Sequence, residues 1–199
     1  MNARTLDLAS LIGSRICHDL INPIGAINNG LELMALDGVP HGPEMALIAE
    51  SVENANARIR FFRVSYGVTS DTQSFGKAEI RSILDGLAPG ARVAFEWTPA
   101  MDVPRQEVQL VFLAMQCLET ALPFNGTISV AQTASGWQVC GTSERVKRDD
   151  ALWSALRDSA PNPDIIPSQV QFALLPMLLA ERGRMLEIRE EPNRITLAF

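Results

Sequence analysis

The run Asp37-Gly38-Val39-Pro40-His41-Gly42-Pro43 constrains the fold of this chain more than any other stretch. Two glycines and two prolines within seven residues cannot carry a helix, yet apolar residues recur at helical spacing on both sides. The run therefore reads as the turn of a helical hairpin. Helix one is expected from about Thr5 to Leu36. Helix two is expected from about Pro43 to Gly67, with Pro43 at or near its first position, where a missing N–H costs nothing. Ile48, Val52, Ala55, Ile59, Phe62 and Tyr66 are spaced 4, 3, 4, 3, 4, a coiled-coil seam. Ile12, Ile16, Leu20, Ile24, Ile27, Leu31 and Met34 form a similar stripe on helix one. A two-helix hairpin cannot bury both faces alone, so a homodimer pairing two hairpins into a four-helix bundle is expected.

The pattern changes near residue 70. Lys77 to Leu87 reads as a helix, Val93 to Thr98 as a strand, and Glu107 to Leu122 as a helix with a broad apolar face, ended by Pro123. Thr127 to Gln132 and Gly136 to Thr142 read as a hairpin. A short helix over Asp149 to Arg157 and a longer one over Ser168 to Arg182, ended by Gly183, follow. Arg184 to Arg189 and Arg194 to Phe199 close a last hairpin around Pro192-Asn193. Helices with antiparallel strands in this proportion predict an α+β sandwich. The expected organisation is a dimerising helical hairpin over residues 1–70 and a compact α+β domain over 71–199.

Composition narrows the function. Seventeen basic residues against 23 acidic give a net charge of −6, which disfavours a nucleic-acid surface. Cys17, Cys117 and Cys140 are odd in number, far apart and without a CxxC, so neither a metal site nor a disulfide framework is expected. The first residues lack the apolar core of a signal peptide. The longest apolar stretch, Phe172 to Ala180, is too short to span a bilayer and contains Pro176. These features predict a cytoplasmic protein with no membrane contact.

The chain has two histidines. His41 lies in the Gly/Pro turn and reads as a solvated loop residue. At 100° per residue, Ile16 and Leu20 lie about 160° around helix one from His18, so His18 points away from the apolar stripe. Leu11, Ser14, Asn22, Gly25 and Asn29 share its face, and most are small or polar. Helix one also violates its own propensities. Gly13, Gly25 and Gly30 each cost roughly 0.8–1 kcal/mol relative to Ala and Pro23 about 3, a sum on the order of 5–6 kcal/mol. Rules that fail together near one polar residue are expected at functional sites. An exposed imidazole can do acid/base work, bind metal or act as a nucleophile. The face supplies only amides and hydroxyls as further metal ligands, and a Ser-His-Asp triad needs several elements. Nucleophilic attack on phosphorus remains, with Asp19 orienting or polarising the ring. Spacing alone does not choose between this and a solvated helix residue.

The run His18-Asp19-Leu20-Ile21-Asn22-Pro23 resembles the H-box of two-component histidine kinases, H-[DE]-[LIV]-x-x-P. The wider string from Ser14 to Leu33 resembles the ChpT-type histidine phosphotransferases of alphaproteobacterial phosphorelays, and a weaker similarity runs through Glu119-Thr120-Ala121-Leu122-Pro123 and Val170 to Gly183. The resemblance implies a homodimeric four-helix bundle carrying two degenerate kinase-ATPase-like domains. It implies that His18, with Asp19, takes a phosphoryl group from the receiver domain of a hybrid histidine kinase and passes it to the aspartate of a response regulator. Asn22 stands four residues after the histidine, where related kinases often place Thr or Asn for dephosphorylating the regulator and other relatives carry Ser. The docking stripe for receivers would be Ser14, Arg15, Asn22, Gly25, Ala26 and Asn29. Magnesium would sit in the partner receiver, leaving this chain without a cofactor or metal of its own.

A true kinase domain needs an Asn-rich N-box, a D-x-G motif and a G-x-G. At the corresponding helix this chain reads Gln116-Cys117-Leu118-Glu119-Thr120-Ala121, and after the next strand Val139-Cys140-Gly141-Thr142-Ser143. Neither box is present, and the second half holds no G-x-G. Glu119 reads as a solvated or capping residue rather than a metal ligand. The sequence therefore predicts a phosphotransferase without autokinase activity. An ATP-dependent histidine kinase with an unrecognised nucleotide site, and a non-catalytic dimeric adaptor that titrates receivers, are the competing readings.

Overall fold

The structure is a computed structural model that describes residues 12, 20, 23–27, 29–34, 36, 42–67, 73–89, 91–158 and 165–199. The described residues of the first helix, 20, 23–27, 29–34 and 36, are helical. Gly42 precedes α1 (Pro43–Tyr66), which starts with proline in its first turn and runs 24 residues, about 36 Å. The two helices meet closely at Gly30. A Cβ added there would lie 2.5 Å from Ile48 Cγ1 and 3.2 Å from the Glu44 carbonyl oxygen. Ile12 packs against the core of the following domain.

That domain, hereafter the body, is built on a five-stranded sheet. Its strands are β2 (Val93–Trp97), β4 (Gly126–Thr133), β5 (Gly136–Thr142), β6 (Glu187–Glu191) and β7 (Arg194–Ala198), in the order β2-β4-β5-β7-β6. A two-residue pair, β1 (Ser74–Phe75) with β3 (Val103–Pro104), stands apart. The expectation of antiparallel strands needs correcting at one place. β2 and β4 run parallel, Val93 opposite Gly126 and Trp97 opposite Val130. Parallel neighbours need a crossover, and α3 (Arg105–Ala121) is that crossover. The register aligns Trp97, Val130, Val139 and Leu197 across the sheet, and all four are buried. Every residue of α3 from Val108 to Leu118 is buried, as a helix covered on all sides must be.

α2 (Lys77–Leu87) matches the expected span. α4 (Asp150–Asp158) opens one residue later than expected, with the Asp149 carboxylate accepting the backbone N–H groups of Ala151 and Leu152. The helix expected from Ser168 to Arg182 begins as a 3-10 turn over Pro167–Gln169. It continues as α5 (Gln171–Glu181), with Gly183 left-handed at φ 64° just after its end. The strand expected from Arg184 to Arg189 starts only at Glu187. Arg184 Nη1 instead reaches back 2.7 Å to Glu107 on α3, whose carboxylate also accepts Trp137 Nε1 at 2.6 Å. Glu190 on edge strand β6 takes both Arg148 and Arg157, tying the segment around α4 to the sheet.

The seam expected along α1 divides in two. Phe62 is buried in the body core and Tyr66 packs against that core, whereas Val52 and Ile59 are exposed. Buried Ala57, Phe61, Val64 and Ser65 mark the face that enters the body. The reason is steric as well as hydrophobic. α1 crosses α2 at Ala57 and Gly86, where a Cβ added to Gly86 would come within 2.9 Å of the Ala57 Cβ. Phe61 stacks on Phe112 of α3, with ring centroids 4.7 Å apart. Among the described residues, no helix is long and apolar enough to cross a membrane. Gly86→Leu is expected to lower the unfolding free energy by about 1–3 kcal/mol, despite the better helix former, because it wedges α2 off α1. Urea unfolding followed by circular dichroism measures this, and an unchanged midpoint would contradict the crossing.

Candidate functional site

His18 and Asp19, with Ser14, Arg15 and Asn22, lie outside the described residues, as does His41. The described part of the stripe is Gly25, Ala26 and Asn29, all helical, the first two half-buried and Asn29 exposed. Among the described residues, no atom lies within 4 Å of a Cβ added at Gly25. The two described glycines of this helix therefore do different work. Gly30 lets the hairpin helices approach, and Gly25 keeps a surface low.

Pro23, buried, links this helix to the body. It lines a cleft of about 500 Å³ together with Ser51, Asn54 and Arg58 of α1 and Arg92, Phe95 and Gln116 of the body. A smaller cleft of about 360 Å³ shares Arg92, Gln116 and Glu119 with the first and reaches Asp149, Ser168 and Gln169. Arg58 Nε donates to Asn54 Oδ1 at 2.9 Å, and Arg92 Nη1 to the Pro123 carbonyl at 3.1 Å. Among the described lining residues, Glu50 and Glu119 balance the two arginines. Among the described residues no group of His, Cys, Asp and Glu is placed to hold a metal ion.

The segment from Gln116 to Glu119 of α3 is engaged within the fold. Gln116, 3% exposed, donates from Nε2 to Ser65 Oγ at 3.1 Å and accepts from the Tyr66 hydroxyl at 2.6 Å. Cys117 is fully buried, and burial pushes its thiol well above the ordinary range, so it stays a protonated core residue. Glu119 is half-buried, and its carbonyl accepts the N–H of Leu122 at the helix end. Sequence reasoning read Gln116 only as a missing asparagine. Its bond to α1 spans about fifty residues of chain, and no local signal announces it.

Residues 77–194 match the family described as histidine phosphotransferase C-terminal domain. The chain belongs to the histidine phosphotransferase family. Over 185 residues it is 35% identical to the protein phosphotransferase ChpT of Brucella abortus (strain 2308), covering 90% of this chain and 88% of that one. A solved structure of a bacterial phosphotransferase superposes with a TM-score of 0.79 at 26% identity, over 99% of this chain and 96% of the other. The ChpT-type resemblance carried by residues 14–33 is thereby confirmed, and with it a phosphotransferase activity.

Gly25 and Gly30 of the first helix give a paired prediction. Gly30→Val is expected to lower the unfolding free energy by about 1–3 kcal/mol, because Ile48 and the Glu44 carbonyl leave no room. Gly25→Arg, entering open space and gaining helix propensity, is expected not to lower it. Thermal melts of the two variants decide, and a destabilised Gly25→Arg would mean the stripe is packed rather than open.

Proposed function

We propose that this phosphotransferase is a relay: His18 accepts a phosphoryl group from a receiver-domain aspartate and returns it to the aspartate of another receiver, with no use of ATP. The observation that carries the reading is family membership together with the H-box residues His18-Asp19-Leu20-Ile21-Asn22-Pro23. In the transfer, a ring nitrogen of His18 forms a bond to phosphorus as the aspartyl O–P bond breaks, and the carboxylate leaves with the electron pair. Asp19 holds the ring, and its negative carboxylate offsets the positive charge that develops there. The magnesium and most of the charge that stabilise the transferring group belong to the receiver, so this chain's task is largely positioning. A histidine, an acidic neighbour and a low stripe suffice for that. Asn22 contacts the receiver beside the transfer site in this reading.

The body's role in this reading is not nucleotide handling. A bound triphosphate needs a positive field or oriented backbone donors, whereas the arginines of the interdomain cleft are offset by Glu50 and Glu119. The body thus resembles the ATPase half of a histidine kinase in its placement after the hairpin and not in its chemistry.

The working unit in this reading is a homodimer in the cytoplasm. Met45, Val52 and Ile59 of α1 are exposed at seven-residue spacing, and so are Ile24 and Leu31 of the first helix. Two such strips need cover, and a second copy supplies it as a four-helix bundle. Val52→Glu with Ile59→Glu is expected to shift the sedimenting species from dimer to monomer; an unchanged dimer would place the interface elsewhere.

The transfer itself is tested with a phosphorylated receiver domain and magnesium. His18→Ala should take up no label while remaining a folded dimer, and unfolding of that variant would make the histidine structural. Gly25→Arg should slow labelling at least tenfold, because the arginine stands where a receiver helix would pack, and an unchanged rate would remove the stripe from the docking surface.

A further inference from the structure

Hairpin and body are joined by more than a tether. α1 runs without a break from the hairpin turn into the body, and its last turns are pinned from two sides, by α2 at Ala57–Gly86 and by α3 at Phe61–Phe112. Those contacts are apolar, and exposed directional bonds accompany them: Arg60 donates to the Ser82 hydroxyl and carbonyl, Asn54 to the Pro89 carbonyl, and Arg105 to the Arg63 carbonyl. A buried set of directional bonds lies at the end of the helix. Gln116 Nε2 donates to Ser65 Oγ and to the Phe112 carbonyl at 3.2 Å, and Gln116 Oε1 accepts from the Tyr66 hydroxyl. Ser65 Oγ donates in turn to the Phe61 carbonyl at 3.0 Å. One turn pair away along α3, Gln109 Nε2 donates to the carbonyls of Ser65 and Gly67, each at 3.2 Å.

Ser65 is fully buried, and Gln109 and Gln116 nearly so. A polar group held inside an apolar core adds less stability than a well-packed leucine, but it admits fewer arrangements. Gln116 and Pro23 both line the same cleft. Ile12 packs on the body core as well. These two residues bracket His18 in the sequence, so a rotation of α1 against the body would move the surroundings of both flanks of the transfer site.

We infer that Tyr66, Ser65 and Gln116 are positioning residues for the transfer: their buried bonds set the angle between hairpin and body, and thereby the space in which a receiver domain presents its aspartyl phosphate. This rests on His18 as the phosphoryl carrier. The kind of partner affected is a macromolecular donor or acceptor that must fit between hairpin and body. A small donor that reaches an exposed imidazole directly would not sense the angle.

The test compares two donors on the full-length chain. Phosphoramidate phosphorylates an accessible imidazole with release of ammonia, the new N–P bond replacing the old one, and needs no docking. A phosphorylated receiver domain with magnesium needs both. For Tyr66→Phe, which removes one hydroxyl, labelling by phosphoramidate should stay within twofold of wild type, while kcat/KM for the receiver falls about five- to tenfold. Ser65→Ala, which removes the other arm, should show the same split, and both variants are checked by melting temperature so that one misfolded protein cannot decide the matter. Equal losses with both donors would make the network merely structural and overturn the inference. Normal transfer in both folded variants would overturn it too. If phosphoramidate leaves no label on wild-type protein that His18→Ala lacks, the carrier assignment falls first and this inference with it.

Discussion

The insertion of the last turns of α1 into the body core is the contact on which the remaining architecture depends. A hairpin of two helices has too little interior to be stable alone. This one gains its interior from two sources, Ile48 against Gly30 at one end and Phe61, Phe62 and Val64 within the body at the other. The body gains equally, since α3 is buried on all sides only because α1 closes the side left free by the sheet and α5. Remove α1 and the apolar flank of Phe112 and Met115 would face water.

The shared core also engages the end of α3, where Gln116 and Cys117 are buried and the half-buried Glu119 accepts the Leu122 N–H on its carbonyl. Gln116 turns its amide toward α1 instead of toward a ligand. Among the described lining residues of the cleft, Arg58 and Arg92 are balanced by Glu50 and Glu119.

Much of this could be read from the residues. Gly/Pro punctuation at 37–43 placed the start of α1, and Gly183 the end of α5, because both depend on backbone conformations that few residues accept. Alternation in β4 and β5 gave their spans nearly to the residue. The parallel pairing of β2 with β4 was not legible, since periodicity reports which face is buried and not which strand lies beside it. The division of the α1 seam failed for a related reason. Phe62 and Tyr66 obey the same spacing as Val52 and Ile59, and only the arrival of α2 and α3 distinguishes them. The family was legible through a short string of residues around His18, whereas Gln116 and the cleft exist only once distant segments meet.

In the proposed relay, phosphate enters this protein from another protein and not from a nucleotide. The direct measurement is to incubate purified chain with γ-labelled ATP and magnesium alone, and in parallel with a receiver domain already carrying labelled phosphate. Acid-labile, base-stable label should appear on His18 from the receiver only. Label acquired from ATP alone would make the body a working nucleotide domain and contradict the account.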